Sequence, residues 1–181
     1  MNKLVLKACV LLSCAILISS CDLLLPDNES EIVLDKCKVH KNAIQSISNN
    51  TYSTLSFSSE VYDTNDMHHV SINNERVIIK NTGYYIISAT VSFGQNGNGE
   101  RRLYVTKNNS SLNFNPVTID LLAENRVLPY SNADTYAQVF CSVYLEENEY
   151  VSLAVYQNSG SSIDIIYNQQ TPTEFSVTKI Q

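Results

Sequence analysis

The sequence predicts an all-β, antiparallel domain, and three observations lead to this fold class. Between Gly83 and Phe93 the side chains alternate with a period of two, as they do in a packed strand. Val, Ile, Thr and Tyr, which favour strands, fill the second half of the chain, and Tyr alone occurs 11 times in 181 residues. No segment has a persuasive helical period. A sandwich or barrel of short strands is therefore expected.

Ten strands follow from these patterns. They are predicted at 37–48, 53–62, 76–80, 83–93, 101–107, 116–123, 135–145, 149–157, 162–167 and 174–180. The connections are rich in Asn, Asp, Ser and Gly, the residues of tight turns. KNTG at 80–83 is such a turn, in which Gly83 tolerates a backbone conformation that a β-branched residue would resist. The glycine-rich stretch 94–99 precedes a strand rather than a helix, so it predicts a hairpin turn and not a phosphate-binding loop.

The first 20 residues predict a signal peptide. Lys3 and Lys7 precede an apolar run from Ala8 to Ile18, whose 11 residues are too few to span a bilayer of about 30 Å. The residues ISSC at 18–21 resemble the bacterial lipobox, in which a peptidase cleaves before a Cys that already carries diacylglycerol. This resemblance implies that Cys21 is lipidated and anchors the chain to a membrane. An ordinary cleaved signal peptide is the alternative.

The domain proper is predicted to span 37–181, after the lipidated Cys and an acidic tether at 21–36. Its location is then the cell envelope, extracytoplasmic and lipid-anchored; with an ordinary signal peptide the protein is secreted. Removal of Lys3 and Lys7 lowers the net charge from −6 to −8, and no basic cluster longer than Arg101-Arg102 remains. A nucleic-acid partner is not expected, because such a protein needs a basic stripe that follows the phosphate backbone.

Two of the five cysteines, Cys37 and Cys141, follow the tether. In an oxidising compartment an even pair is compatible with a disulfide. Cys141, however, lies on the apolar side of the predicted strand 135–145, where a free Cys acts as a small apolar residue. Buried free thiols are preferred, with a Cys37–Cys141 disulfide as the alternative.

Several short motifs resemble the C1q/TNF-like family of jelly-roll domains. The sequence GYYII at 83–87 is similar to the Gly-x-Tyr-x-Phe core of the C1q signature, with Ile87 in place of Phe. Phe57 and Asp63 resemble the opening of that signature. LEENEYVSL at 145–153 resembles its Leu-x-x-Gly-Asp-x-Val-x-Leu segment, and 156–160 and 175–177 follow in family order. The resemblance covers about 37–181 and implies a ten-stranded jelly-roll sandwich of the collagen-free type found in bacteria and phages.

Two strands carry aromatic or aliphatic residues on the side that should face water. These residues are Tyr136, Phe140 and Tyr144 on 135–145, and Tyr84 and Ile86 on 83–93. A sheet with one wet face should alternate apolar with polar residues, so something is expected to cover this side. The C1q/TNF resemblance implies that the cover is the other subunits of a homotrimer. A covering loop at 113–133 is the alternative.

The segment EVYDTNDMHH at 60–69 gathers carboxylates and imidazoles. Glu60, Asp63 and Asp66 are candidate Ca²⁺ ligands, and the two histidines could recruit a transition metal. The pattern is not an EF-hand, because His68 stands where the Gly is needed, and adjacent histidines at a strand end point to opposite sides. A solvated loop without a cofactor is expected. Calcium is the alternative, and the family resemblance permits it.

No enzyme is expected, because the sequence has no nucleophile elbow, no His-Glu-x-x-His zinc motif and no Cys-x-x-Cys pair. The preferred interpretation is a lipid-anchored, extracytoplasmic trimer that acts as a non-catalytic binding, recognition or structural module. Its ligand would be an unidentified protein or glycan, held on the loops or along the outer sheet. Two alternatives stay open: a secreted C1q-like lectin or immune protein of a eukaryote, and a jelly-roll metalloenzyme.

Overall fold

The computed structural model describes residues 34–108, 120–167 and 172–181. They belong to a compact unit that begins at Val33, four residues before the predicted boundary at Cys37. The predicted signal peptide, the lipidation site at Cys21, most of the tether and residues 116–119 of a predicted strand lie outside the described residues. Among those described, no helix is long and apolar enough to cross a membrane.

The described residues form twelve strands and no helix. In chain order they are β1 (Lys36–His40), β2 (Gln45–Ile47), β3 (Thr51–Thr54), β4 (Ser59–Asp63), β5 (Arg76–Ile78), β6 (Gly83–Phe93), β7 (Arg101–Lys107), β8 (Asp120–Val127), β9 (Thr135–Leu145), β10 (Tyr150–Gln157), β11 (Ile163–Ile165) and β12 (Glu174–Lys179). All the strand pairs are antiparallel. The predicted all-β antiparallel fold class is confirmed, with twelve strands in place of ten.

The strands form two sheets. Sheet I has the order β2-β11-β6-β12-β1-β4, and β9 pairs with the other edge of β6. Sheet II has the order β3-β10-β7-β8, and β5 also pairs with β10. The two sheets face each other across one apolar core, which includes the whole predicted line Tyr85, Ile87, Ala89, Val91 and Phe93.

Two long predicted strands are each divided between two short ones. The predicted strand 37–48 ends as β1 at His40 and resumes as β2 at Gln45, with different partners. The predicted strand 53–62 changes sheets: β3 pairs with β10 of sheet II, and β4 pairs with β1 of sheet I. The predicted hairpin at 94–99 was also wrong, because β6 and β7 lie in different sheets and the loop crosses between them.

Gly83 is required for a reason other than the one predicted. Its φ is not positive, but a Cβ there would lie 2.1 Å from the backbone oxygen of Gln181. The same oxygen accepts a hydrogen bond from the backbone N–H of Tyr84 at 2.9 Å. The glycine therefore allows the C-terminus to pack against the start of β6.

Candidate functional site

The candidate assembly site is the surface of sheet I that faces away from the core, here called the outer face. All five predicted interface residues lie on it. Their exposed fractions are 49% for Tyr84, 43% for Tyr136, 67% for Phe140 and 50% for Tyr144, whereas Ile86 is half-buried. The described part of the predicted covering loop forms β8 of sheet II and the connection to β9, and it leaves these four rings exposed.

One row of apolar residues crosses the outer face from β9 to the N-terminus of β1. Tyr84 stands opposite Tyr144, and the backbone N–H of Ile180 donates to the carbonyl of Tyr84 at 2.8 Å. Leu34 continues the row. Lys36 pairs with Thr178, and the same register two residues further out places Leu34 opposite Ile180. Leu34 and Ile180 are 44% and 49% exposed. Neither was predicted to belong to the interface, so this row widens the candidate site to four strands.

Beside the apolar row, the outer face also carries a charged pair. Phe140 and Ser88 bound a shallow depression of about 280 Å³ whose far wall includes Glu174. Glu174 forms a 2.8 Å ion pair with Lys38 on β1, and both side chains are about 30% exposed. The β9 side of the face therefore offers rings, and the β1 side offers a charged pair.

The three candidate calcium ligands are not gathered into a metal site. Asp63 accepts backbone hydrogen bonds from Asn65 at 3.3 Å, Met67 at 3.0 Å and His68 at 2.8 Å, so its carboxylate holds the turn together. Glu60 is bound to the His68 ring, and Asp66 occupies a turn position with φ of 50°. The residues that the structure describes contain no group of three His, Cys, Asp or Glu side chains able to hold a metal ion. Two of the three carboxylates, those of Asp63 and Glu60, are thus engaged by the backbone of the turn and by the His68 ring.

Cys37 and Cys141 are free thiols at the same height of sheet I. Cys37 pairs with Val177, Val177 pairs with Ile87, and Ile87 pairs with Cys141. The two cysteines are therefore three strand spacings apart. That is about 14 Å, well beyond the 4.4–6.8 Å that a disulfide spans between Cα atoms. A bridge within one chain does not fit this geometry. Burial raises the pKa of the Cys37 thiol, and the nearby Asp63 and Glu60 raise it further.

Sequence reasoning missed that five Asp, Glu, Lys, Arg or His side chains lie inside the described part of the fold. Asp35, placed in the tether, is only 3% exposed and accepts hydrogen bonds from Asn65, Asn81 and Tyr85. The others are Lys41, His68, Glu100 and Arg101. Arg101 is fully buried and donates to the backbone carbonyls of residues 96, 98 and 100, which holds the loop between β6 and β7. The sequence offers one local signal for a buried charge of this kind. It is a charged residue in line with the inward-facing apolar residues of a strand, as Arg101 is with Leu103.

No protein-family model and no curated protein sequence matches the chain. Solved structures do match its fold. Murine APRIL aligns with a TM-score of 0.61 at 10% identity, over 81% of this chain and 99% of that one. Eiger TNF from S. frugiperda gives 0.56 at 10%, over 82% and 93%. The globular domain of zebrafish complement 1qA gives 0.51 at 12%, over 80% and 93%. The fold is therefore a TNF/C1q-like jelly roll, as the sequence resemblance implied.

Proposed function

We propose that this protein is a non-catalytic binding, recognition or structural module that works as a homotrimer. In this proposal the outer face of sheet I forms the subunit interface. A lipid on Cys21 holds the trimer on the extracytoplasmic side of a cell envelope. The observation that carries the proposal is the apolar row Leu34, Ile180, Tyr84 and Tyr144, together with the 67% exposed ring of Phe140.

A contiguous apolar surface of this kind favours a partner of the same chain. Single exposed apolar residues are ordinary, but soluble monomers seldom leave a continuous patch of rings in water. Threefold closure needs two different surfaces that fit each other. The β9 side of the outer face is apolar, and the β1 side carries the Lys38–Glu174 pair, so the two sides differ as that symmetry requires.

The use of the polar groups favours binding over catalysis. Where carboxylates and imidazoles come together in the described part of the chain, at Glu60, Asp63 and His68, they bind one another and the backbone. This geometry gives no support to the metalloenzyme alternative. It also leaves the loops as the region for a ligand, since the outer face of sheet I is assigned to the subunit interface.

In this proposal the tether joins the domain at one end of the sandwich, and the ligand binds at the other end. Twelve residues separate Cys21 from Leu34, and an extended chain of that length reaches about 40 Å. Leu34 enters at the end of the sandwich where β6 begins and β12 ends. Loops 94–100 and 128–134 connect strands at the opposite end. We place a protein or glycan ligand on these loops, at the end of the sandwich opposite the end where the tether enters.

The mass of the native assembly tests the trimer. Native mass spectrometry of the chain from Asp22 onward should show three copies, and Phe140→Ser should reduce the mass to one copy. Ile44→Ser is the matched control: Ile44 is 60% exposed in the connection from β1 to β2, so its replacement should leave the trimer intact. A monomeric wild-type chain would overturn the proposed assembly.

The mass of the mature N-terminus in the native host tests the anchor. A diacylglyceryl group on Cys21, lost together with membrane association in Cys21→Ala, is the expected result. An unmodified N-terminus created by cleavage at another position would instead support the secreted alternative.

A further inference from the structure

A cleft of about 340 Å³ opens between β5 and the connection 64–75 that leads to it from β4. Most of its surface is apolar: Met67 and Ile72 contribute from the connection, and Ile78 contributes from β5. Met67 is fully buried, whereas Ile72 is 62% exposed, so the cleft has a buried wall and an open rim. None of its lining residues belongs to the outer face of sheet I or to the ligand loops at the far end of the sandwich. The cleft is therefore a surface that the proposed function leaves unused.

Backbone hydrogen bonds hold the two sides of the cleft together. The N–H of Ile78 on β5 donates to the carbonyl of Met67 at 2.7 Å. The carbonyl of Asn74 accepts the N–H of Phe57 at 2.8 Å, which ties the connection to the chain before β4. The cleft is thus formed by the fold itself, as binding sites for small groups usually are.

Asp66 and Arg76 line the cleft with opposite charges, but Arg76 is already paired. Its guanidinium contacts Oε1 of Glu75 at 2.8 Å and lies over the Tyr150 ring, 4.4 Å from the ring centroid. The Asp66 carboxylate forms no hydrogen bond or ion pair with the part of the chain that the structure describes. Asp66 is therefore the charged group of the cleft that is available to a ligand.

The charge around the cleft is negative whatever the protonation of its histidines. Residues 60–76 contain four carboxylates, against one guanidinium and two histidines. Even with both imidazoles charged, negative groups outnumber positive ones by four to three. The whole chain carries a net charge of −6. A cationic ligand is therefore complementary both to the cleft and to the molecule.

We propose that this cleft binds a lysine side chain of a protein partner. Lysine joins an apolar stem to a compact ammonium group. The stem lies against the apolar wall formed by Met67, Ile72 and Ile78, and the ammonium pairs with Asp66. An acidic side chain would be repelled by the same carboxylate, and a purely apolar one would leave it unpaired. The partner is thus a protein that presents a lysine on its surface, and its site is separate from the subunit interface.

Three blocked amino acids of similar length test the proposal by methyl NMR on the full chain. They are the N-acetyl methylamides of lysine, norleucine and aminoadipate, whose side chains end in an ammonium, a methyl and a carboxylate group. The lysine probe should shift the methyl signals of Met67, Ile72 and Ile78 in a saturable way. Norleucine should bind about threefold more weakly, as expected for loss of a partly exposed ion pair, and aminoadipate should not bind. No saturable shift with the lysine probe, or equal affinity for norleucine, would overturn the proposal.

Asp66→Asn tests the carboxylate. Asn tolerates the positive φ of 50° at this position, so the variant should keep the turn while it loses the charge. The affinity for the lysine probe should fall about threefold, to that of norleucine, and the norleucine affinity should not change. Asp164→Asn, at an exposed position on β11, is the matched control and should leave both affinities at their wild-type values. A preference for lysine that survives Asp66→Asn would mean that Asp66 does not bind the ammonium.

The native mass of Asp66→Asn distinguishes a separate partner protein from a neighbouring copy of this chain. The variant should assemble as the wild type does. A smaller assembly would mean that the lysine belongs to a sister subunit, and the assignment to a different protein would then be wrong. The binding of the lysine probe is measured whether the wild type is a trimer or a monomer, so this proposal and the proposed assembly fail separately.

Discussion

Tyr84 and Tyr144 face each other in direct register across β6 and β9, with ring centroids 5.2 Å apart and ring planes at 68°. This is an edge-to-face contact, and each ring is still about half exposed. The pair forms the β9 end of the apolar row on the outer face. It therefore contributes to the folded chain and is also available to a neighbouring copy.

A double-mutant cycle isolates the first of these contributions. With Tyr84→Ala, Tyr144→Ala and the double variant, the coupling free energy should be about 0.5–1.5 kcal/mol, the size of an edge-to-face pair. Urea unfolding at one fixed protomer concentration is the measurement, since oligomer stability depends on concentration. Tyr84 with Tyr136 is the control cycle: Tyr136 is on the same face at the far end of β9, so its coupling should be near zero.

The two thiols should differ in reactivity. Burial raises the pKa of Cys37 and also that of the half-buried Cys141, so the reactive thiolate is scarce at both sites. In the chain from Asp22, alkylation at pH 8 without reductant should be slow at Cys141, undetectable at Cys37 and complete at both in denaturant. A chain that takes up label in denaturant only after reduction would contradict the free thiols.

The fold was predictable where its signal is local. The alternation from Tyr85 to Phe93 is set by one strand packed on one core, and the structure confirms it. The division of 37–48 and 53–62 was not predictable, because apolar periodicity continues when a strand leaves one sheet for the other. The last bond of the β1–β12 pairing joins residues distant in sequence: the backbone N–H of Lys41 donates to the carbonyl of Thr173, just before the start of β12.

The candidate site was predictable in part for the same reason. Aromatic residues at even positions of β9 are visible in the sequence, and they do lie on the outer face. Leu34 and Ile180 were missed because each stands at the end of a strand, where alternation has no further member to confirm it. The bond between Glu60 and His68 joins residues eight apart, and a list of carboxylates and imidazoles cannot distinguish it from a metal site.

Asp35 should be essential to the stability of the domain although it precedes the first strand. It is 3% exposed and accepts hydrogen bonds from the Asn65 and Asn81 amides and from the Tyr85 hydroxyl, at 2.9–3.1 Å. Asp35→Ala removes the acceptor that these three donors share; the two amides are exposed, and the buried Tyr85 hydroxyl keeps only the Asn81 carbonyl at 2.6 Å, so unfolding should become easier by about 1–3 kcal/mol. Chemical denaturation measures this, and Asp164→Ala, at an exposed position, should change stability by less than about 0.5 kcal/mol. An equally small effect of Asp35→Ala would refute the role of this network.

Lys41 should make the domain more stable in moderate alkali than at neutral pH. It is 5% exposed and donates to Gln45 Oε1 and to the carbonyl of Ser56, both at 2.9 Å, and burial lowers its pKa to about 8. Between pH 8 and 10.5 the unfolded chain holds a proton that the folded chain has released, so the free energy of unfolding rises with pH in this window. Relative to Lys41→Met, the free energy of unfolding of the wild type should rise by about 2 kcal/mol between pH 7 and pH 9.5.

The comparison with a variant is necessary because the raised pKa values of the Cys37 thiol and of Tyr85 lower the stability of both proteins at high pH. Lys36→Met, at an exposed position, should show no such change, and a constant difference between the wild type and Lys41→Met would mean that the Lys41 ammonium keeps its proton when buried.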